Sequence, residues 1–323
     1  MKELLRKLLP GIILGFLALV VLAMVGDLRQ VVEIFRRFNW WIFPLALLFT
    51  LFNYCLRYIK FMYYLRLAGG KNISRGHGLR LFVAGFPLAV SPGKVGEVLK
   101  GVWITQCSDI PLGKAVSIVL AERISDGLAV LFLSTVGVIL YPQYWPAFLL
   151  VFCGLVGLVV ITQIRPAAIW LLDLCAKLPL IKKAINPLRD FYEGSYALFK
   201  PLPVLTAVGL GIVSWFGEGI GFYFILTGLG LAPDLKLFSL AVFVLSFSTV
   251  VGAVSTLPGG LGAAEASIAG MLTLLGGIPA ATSTSATVLI RLATLWFGVL
   301  LGVMVWFFSL DLLGLRPKNG KVD

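Results

Sequence analysis

Two Pro-Gly breaks inside otherwise apolar sequence constrain this chain more than any other feature. The first reads Ser91-Pro92-Gly93-Lys94-Val95-Gly96-Glu97 and the second Leu257-Pro258-Gly259-Gly260-Leu261-Gly262-Ala263-Ala264-Glu265. Each glutamate is followed 14 residues later by the proline of an Ile-Pro pair, Pro111 or Pro279. Each is followed 26 residues later by an arginine in an apolar run, Arg123 or Arg291. The one difference in length is two extra residues between Pro258 and Glu265. Several markers at one spacing indicate an internal duplication, which fixes the architecture before any single element is assigned.

The solvent follows from composition. The chain is 59% hydrophobic and 13% charged, about half the charge of a soluble domain. Several apolar runs exceed the roughly 18 residues that cross a bilayer as a helix, and the alternating ten-residue segments of a β-barrel are absent. The fold class expected is an all-α polytopic membrane protein. The net charge of +12 reflects Lys and Arg gathered in short loops, as the positive-inside rule requires, rather than nucleic-acid binding. Cys55, Cys107, Cys153 and Cys175 are scattered and His77 is the lone histidine, so no metal, disulfide or cofactor is implied.

Taken in order, the sequence predicts a first span over Leu8–Val25 and then a surface helix capped by Asp27, with Leu28, Val31, Phe35 and Phe38 on one face. A second span, Trp40–Leu67, stops at Gly69-Gly70; its last turns, with Arg57, Lys60 and Arg66, are expected among cytoplasmic headgroups. Leu79–Cys107 is broken at Pro92-Gly93, and neither half is long enough to span, the mark of a re-entrant hairpin. Spans follow at about 115–140 and 147–164. The segment 165–200 holds six basic and three acidic residues and reads as a cytoplasmic linker. In it Asn186-Pro187 opens an amphipathic helix with Leu188, Phe191, Tyr192 and Phe199 on one side. A fifth span covers about 203–229, a second broken segment 238–277, and a sixth span 280–309. Phe238–Leu257 nearly suffices to cross alone, so that segment is either re-entrant or spanning. The single membrane domain, 1–323, divides into a first half 8–164, the linker 165–200 and a second half 201–310. Six spans and two hairpins place both termini inside and make the repeats inverted.

Glu97, Glu122, Arg123, Asp126, Glu218, Glu265 and Arg291 all fall in these membrane segments, with Lys94 and Lys100 beside them. An ionisable residue at the bilayer centre costs about 2.5–3.5 kcal/mol on insertion scales, so the set is expected to face inward. Mutual pairing that holds helices together is one reading; a polar cavity near the midplane is the other. In the second, the second half-helix of each hairpin points its N-terminus into the membrane. Its unpaired N–H groups favour an anion. Gly93, Gly96, Gly259, Gly260 and Gly262 allow close backbone approach, and Lys94, Arg123 and Arg291 suit a phosphate. Glu97, Glu122, Asp126, Glu218 and Glu265 are candidates to orient the cations or carry coupling protons. No nucleophile elbow, zinc-protease motif or phosphate loop is present, so no enzyme activity is expected.

The order Pro-Gly-x-x-Gly-Glu, Glu-Arg-x-x-Asp, Leu-Pro-Gly-Gly-Leu-Gly-x-x-Glu and a late arginine resembles the lysylphosphatidylglycerol synthase transmembrane-region family, also called the flippase-like domain family. The resemblance covers residues 8 to 310. In full-length synthases of that family a soluble domain makes an aminoacylated phospholipid and the membrane region moves it outward. This sequence carries no such domain, so the resemblance implies a stand-alone flippase of the plasma membrane for a phospholipid, aminoacyl-phospholipid or polyprenyl-phosphate lipid. A carrier for a small soluble anion and a non-transporting partner of a lipid-modifying enzyme are the alternatives. Anionic membrane lipids are the expected partners, and homo-oligomerisation stays open.

Overall fold

The computed structural model describes residues 10, 13, 15, 17, 20, 24, 27–70, 72–91, 95–140, 145–176, 185–255 and 257–309. Among these the chain is all helical, and five helices are long and apolar enough to cross a membrane. The expected first span lies largely outside the described residues, as do Pro92, Gly93, Lys94 and the turn 141–144.

Asp27 accepts the backbone N–H of Arg29 and starts α1, Leu28–Arg37. This helix buries Val31 and is followed by the buried Phe38, whereas Leu28 stays exposed. Helix α2, Ile42–Leu67, ends where Gly69 takes φ +105° and the Gly70 N–H returns to the Leu65 carbonyl, the left-handed stop that only glycine adopts readily. The first broken segment is α3, Arg75–Ala84, a 3-10 turn at Phe86–Val90, and α4, Val95–Cys107. Helix α5 is Leu112–Leu140, α6 is Trp145–Gln163, α7 is Arg165–Ala176 and α8 is Ile185–Leu198. Helix α9, Pro201–Gly228, is followed by the second broken segment: α10, Leu235–Val254, a 3-10 turn at Pro258–Gly260, and α11, Ala263–Gly276. The last span is α12, Ala280–Arg291, a π-turn at Leu292–Trp296, and α13, Phe297–Phe308.

The two broken segments are unequal. Helices α3 and α4 have 10 and 13 residues, about 15 and 20 Å, too short to cross 30 Å of hydrocarbon. Helix α10 has 20 residues, about 30 Å, and is long enough to cross alone.

At the centre α2 packs along α9. Gly217 and Gly221 make that approach possible: a Cβ on Gly217 would lie 2.8 Å from Phe52, and one on Gly221 3.1 Å from Phe49. Small residues spaced by four are the usual means by which membrane helices come close without a hydrophobic driving force. Around this pair, α5 contacts α2, α4, α9 and α10, and α12 contacts α9 and α11. The two 3-10 turns touch each other, with Gly259 against Val90.

Two expectations need correction. The amphipathic helix α8 does not bury Leu188, which is 39% exposed; it buries Tyr192, Ser195 and Leu198. Its partner is the start of α5, reached so closely that a Cβ on Gly113 would sit 2.3 Å from the Pro187 carbonyl and one on Gly194 2.2 Å from Ser117. Arg57 and Lys60, expected among headgroups, turn inward instead: Lys60 is fully buried. They lie three residues apart, so both project from one face of α2, and that face meets the carboxylates of α5.

Candidate functional site

Helix breaks at membrane depth leave backbone groups that water cannot reach, and each must find a partner. In the first break, Trp306 of α13 donates to the Ala84 carbonyl at 2.8 Å, and Ser91 Oγ donates to the Leu88 carbonyl while accepting the Gly96 N–H. Gly96 is required there: a Cβ would meet Ser91 Oγ at 2.4 Å and the Leu88 carbonyl at 2.8 Å.

The second break is built by glycines and closed by charge. Gly259, Gly260 and Gly262 have φ of +60°, +67° and +87°. Glu265, buried at the start of α11, accepts the Gly262 N–H on Oε2 at 2.6 Å and Arg291 Nε on Oε1 at 2.5 Å. Arg291 Nη2 donates to the Gly259 carbonyl at 3.0 Å. One arginine thus ties the break, the helix after it and the last span together. The Glu265–Arg291 pair realises the 26-residue spacing seen in the sequence. The π-turn begins directly after Arg291, and Tyr54 of α2 donates to its Thr294 carbonyl at 2.7 Å. Such turns are frequent at functional positions.

A second polar cluster joins α2, α5 and α9. Asp126 receives Lys60 Nζ at 2.5 Å and the indole N–H of Trp215 at 3.2 Å on Oδ1. Arg57 Nη2 lies 3.3 Å from Oδ2, near enough for an ion pair but misaligned for a hydrogen bond. The Arg57 guanidinium sits 5.5 Å above the Trp215 ring. Glu218, one turn from Trp215, is 4% exposed and within electrostatic reach of Arg57, Asp126 and Arg291. Asn53 beside them is fully buried with both amide atoms unpartnered among the described residues. Deeper in α5, Glu122 takes Lys100 Nζ at 2.6 Å, with that ammonium 4.4 Å from the Phe61 ring centre.

Of the residues expected from sequence, the structure brings together Arg291, Glu265, Gly259, Gly260 and Gly262, and separately Asp126 and Glu218. Arg123 lies within electrostatic reach of Asp126 and Lys100. It is the one exposed residue of α5 between Gly113 and Leu131. Gly93, Lys94 and the Glu97 side chain lie outside the described residues. Sequence reasoning missed Arg57, Lys60, Tyr54 and Trp215 as parts of the site. The spacing of three between Arg57 and Lys60, and of four between Glu122 and Asp126 on α5, each of which puts a pair on one helix face, was the available signal. No group of three or more metal-ligating side chains occurs among the described residues.

The family described as the lysylphosphatidylglycerol synthase TM region matches residues 11–302, and the chain belongs to that family. A UPF0104 membrane protein of Methanocaldococcus jannaschii is 26% identical over 243 residues, covering 71% of this chain and 97% of that protein. Another, from Methanothermobacter thermautotrophicus, is 29% identical over 113 residues, which span 35% of this chain and about a third (32%) of the relative's length.

Proposed function

We propose that this member of the family is a lipid translocator, moving a phosphate-bearing lipid between leaflets by alternating movements of its two broken segments. The headgroup passes through the polar centre while the tails remain in the bilayer. The observation that carries this reading is Arg291. It is partly buried within the last membrane segment, held by Glu265 and a glycine carbonyl at a break that touches the opposite break. A cation so placed both holds the closed form and offers its remaining N–H groups to a phosphate. Release of the Gly259 carbonyl in exchange for a headgroup oxygen would couple binding to opening.

Paired contacts of the two halves support inverted repeats: α4 lies on α5 as α11 lies on α12, and α10 reaches α5 as α3 reaches α13. A plasma-membrane location, with both termini cytoplasmic, fits the charge distribution.

The test is a leaflet assay in proteoliposomes with fluorescent anionic, zwitterionic and polyprenyl-phosphate lipids. Translocation that depends on protein and falls at least tenfold in Arg291→Lys supports the proposal, since lysine keeps the charge but loses the two-point hold. Absence of translocation of every lipid by folded, inserted protein refutes it. Uptake of a soluble phosphate ester would then mark an anion carrier, and activity only with an added lipid-modifying enzyme a partner role.

A further inference from the structure

We propose that Glu218 is the proton-coupling site of the translocator and that Arg57 is the cation it exchanges with Asp126. The inference rests on the lipid-translocator reading for what is moved, but the site is defined by its own geometry.

Four intramembrane carboxylates have described side chains, and three are ion-paired: Glu122 with Lys100, Asp126 with Lys60 and Arg57, and Glu265 with Arg291. Glu218 has no ion pair within 4 Å among the described residues, although it is 4% exposed. An ionised carboxylate left alone in so dry a place is strongly disfavoured; it takes a proton or a cation. Its surroundings offer one cation that no aligned hydrogen bond holds among the described residues. Within electrostatic reach of it are Tyr54 and Arg57 of α2, Asp126 of α5 and Arg291 of α12. The neighbouring α10 brings no ionisable group except Lys236 in its first turn. Arg291 is held by two hydrogen bonds and Tyr54 by one. Besides its stacking on Trp215, Arg57 has the misaligned contact to Asp126, whose charge Lys60 already balances. Arg57 and Trp215 stack, and Trp215 lies three residues from Glu218 on α9, so a short swing brings the guanidinium across.

Two states follow. With a proton on Glu218, Arg57 rests against Asp126, as in this structure. The group Arg57, Lys60, Asp126 and Glu218 then carries one net positive charge, which complements an anionic headgroup. When the proton leaves to water, Glu218 becomes a carboxylate and draws Arg57. The group is then neutral, and the headgroup loses its counter-charge. Proton and anionic headgroup therefore bind together and leave together, which makes the protein a proton–lipid symporter. No bond other than the carboxyl O–H is made or broken.

The experiment has two independent readouts on purified full-length protein. In proteoliposomes, an anionic fluorescent lipid should move in the direction of an imposed proton gradient. One unit of pH difference sustains up to about a tenfold leaflet ratio for one proton per lipid. Glu218→Gln should show the same distribution with and without the gradient. By infrared spectroscopy, the pH-difference spectrum should contain a protonated-carboxyl C=O band that is absent in Glu218→Gln and shifted in Glu218→Asp. Gradient-driven accumulation that persists in Glu218→Gln overturns the proposal. So does a wild-type difference spectrum identical to that of Glu218→Gln. If the infrared band is present but no lipid moves, the translocator reading fails while the proton site stands. If lipid moves but ignores the gradient and the band is missing, the proton site fails alone.

Discussion

Removing Arg291 strands Glu265, and the size of the penalty can be worked from the contacts. Glu265 is 1% exposed and holds Arg291 at 2.5 Å. Breaking a buried pair by deleting one partner costs about 3–5 kcal/mol, because the other charge stays buried. Arg291→Met also frees the Gly259 carbonyl, worth about 1 kcal/mol. Against this, Glu265 keeps the Gly262 N–H and the N-terminus of α11, a position worth up to about 2 kcal/mol to a carboxylate. The net expectation is about 3–4 kcal/mol. Glu265→Gln should cost less, about 2 kcal/mol, since the Arg291 side chain retains 13% exposure and glutamine can still accept the Gly262 N–H. The double variant Arg291→Met/Glu265→Gln buries no unpaired charge, so it should be about 2–3 kcal/mol more stable than the sum of the singles. Equilibrium unfolding in mixed micelles, followed by tryptophan fluorescence, measures all three. Additivity within about 0.5 kcal/mol would refute the claim that this pair pins the second break.

The same unfolding measurement separates two glycines in that break. Gly260→Ala and Gly262→Ala each place alanine at positive φ, costing about 1–2 kcal/mol. Gly260→Ala also drives a Cβ to 2.9 Å from the Gly252 Cα and should lose about 1–3 kcal/mol more, whereas the Gly262 side is open. Lys60→Met leaves Asp126 with only the Trp215 indole N–H and the misaligned Arg57 contact and should cost about 3 kcal/mol, recovered in large part by adding Asp126→Asn. Tyr54→Phe removes one hydrogen bond to the π-turn and should lower stability by about 1 kcal/mol. Gly113→Ala would put a Cβ 2.3 and 2.6 Å from the backbone of α8, so α8 should lift from α5 and become accessible to limited proteolysis.

Much of this fold was legible because glycine, proline and charge carry local meaning. The end of α2 at Gly69-Gly70, the two breaks, and the pairing of Glu265 with Arg291 all followed from residue type and spacing. The inward turn of Arg57 and Lys60 did not, because distance along α2 was used where helical phase decides. Phase places Lys60 beside Arg57 and toward α5, and desolvation is tolerable there only because Asp126 waits opposite. The π-turn after Arg291 has no local signature. It is held by Tyr54, 240 residues earlier, and by Gly298, where a Cβ would lie 2.5 Å from the Tyr54 hydroxyl.

The contacts also argue for a longer repeating unit than the sequence markers delimited. The markers of α4–α5 recur in α11–α12 at an offset of 168 residues. The amphipathic α1 precedes the long α2 as the amphipathic α8 precedes the long α9. Across the molecule, α1 packs on α12 and α8 packs on α5, so each surface helix clasps the last span of the opposite half. Contacts ahead of them follow suit: Leu155 of α6 lies 2.9 Å from the Cβ position of Gly127, and Gly15 lies against Trp296, which is one residue from the position 168 beyond Gly127. A unit that starts before α1 and before α6 accounts for all of these. We propose that the boundary between halves falls between α5 and α6, which makes 165–200 part of the second unit. On that division each surface helix joins the half it belongs to with the final span of the other. A movement of either broken segment, transmitted through α5 or α12, is then felt by the opposite half, as alternating access requires.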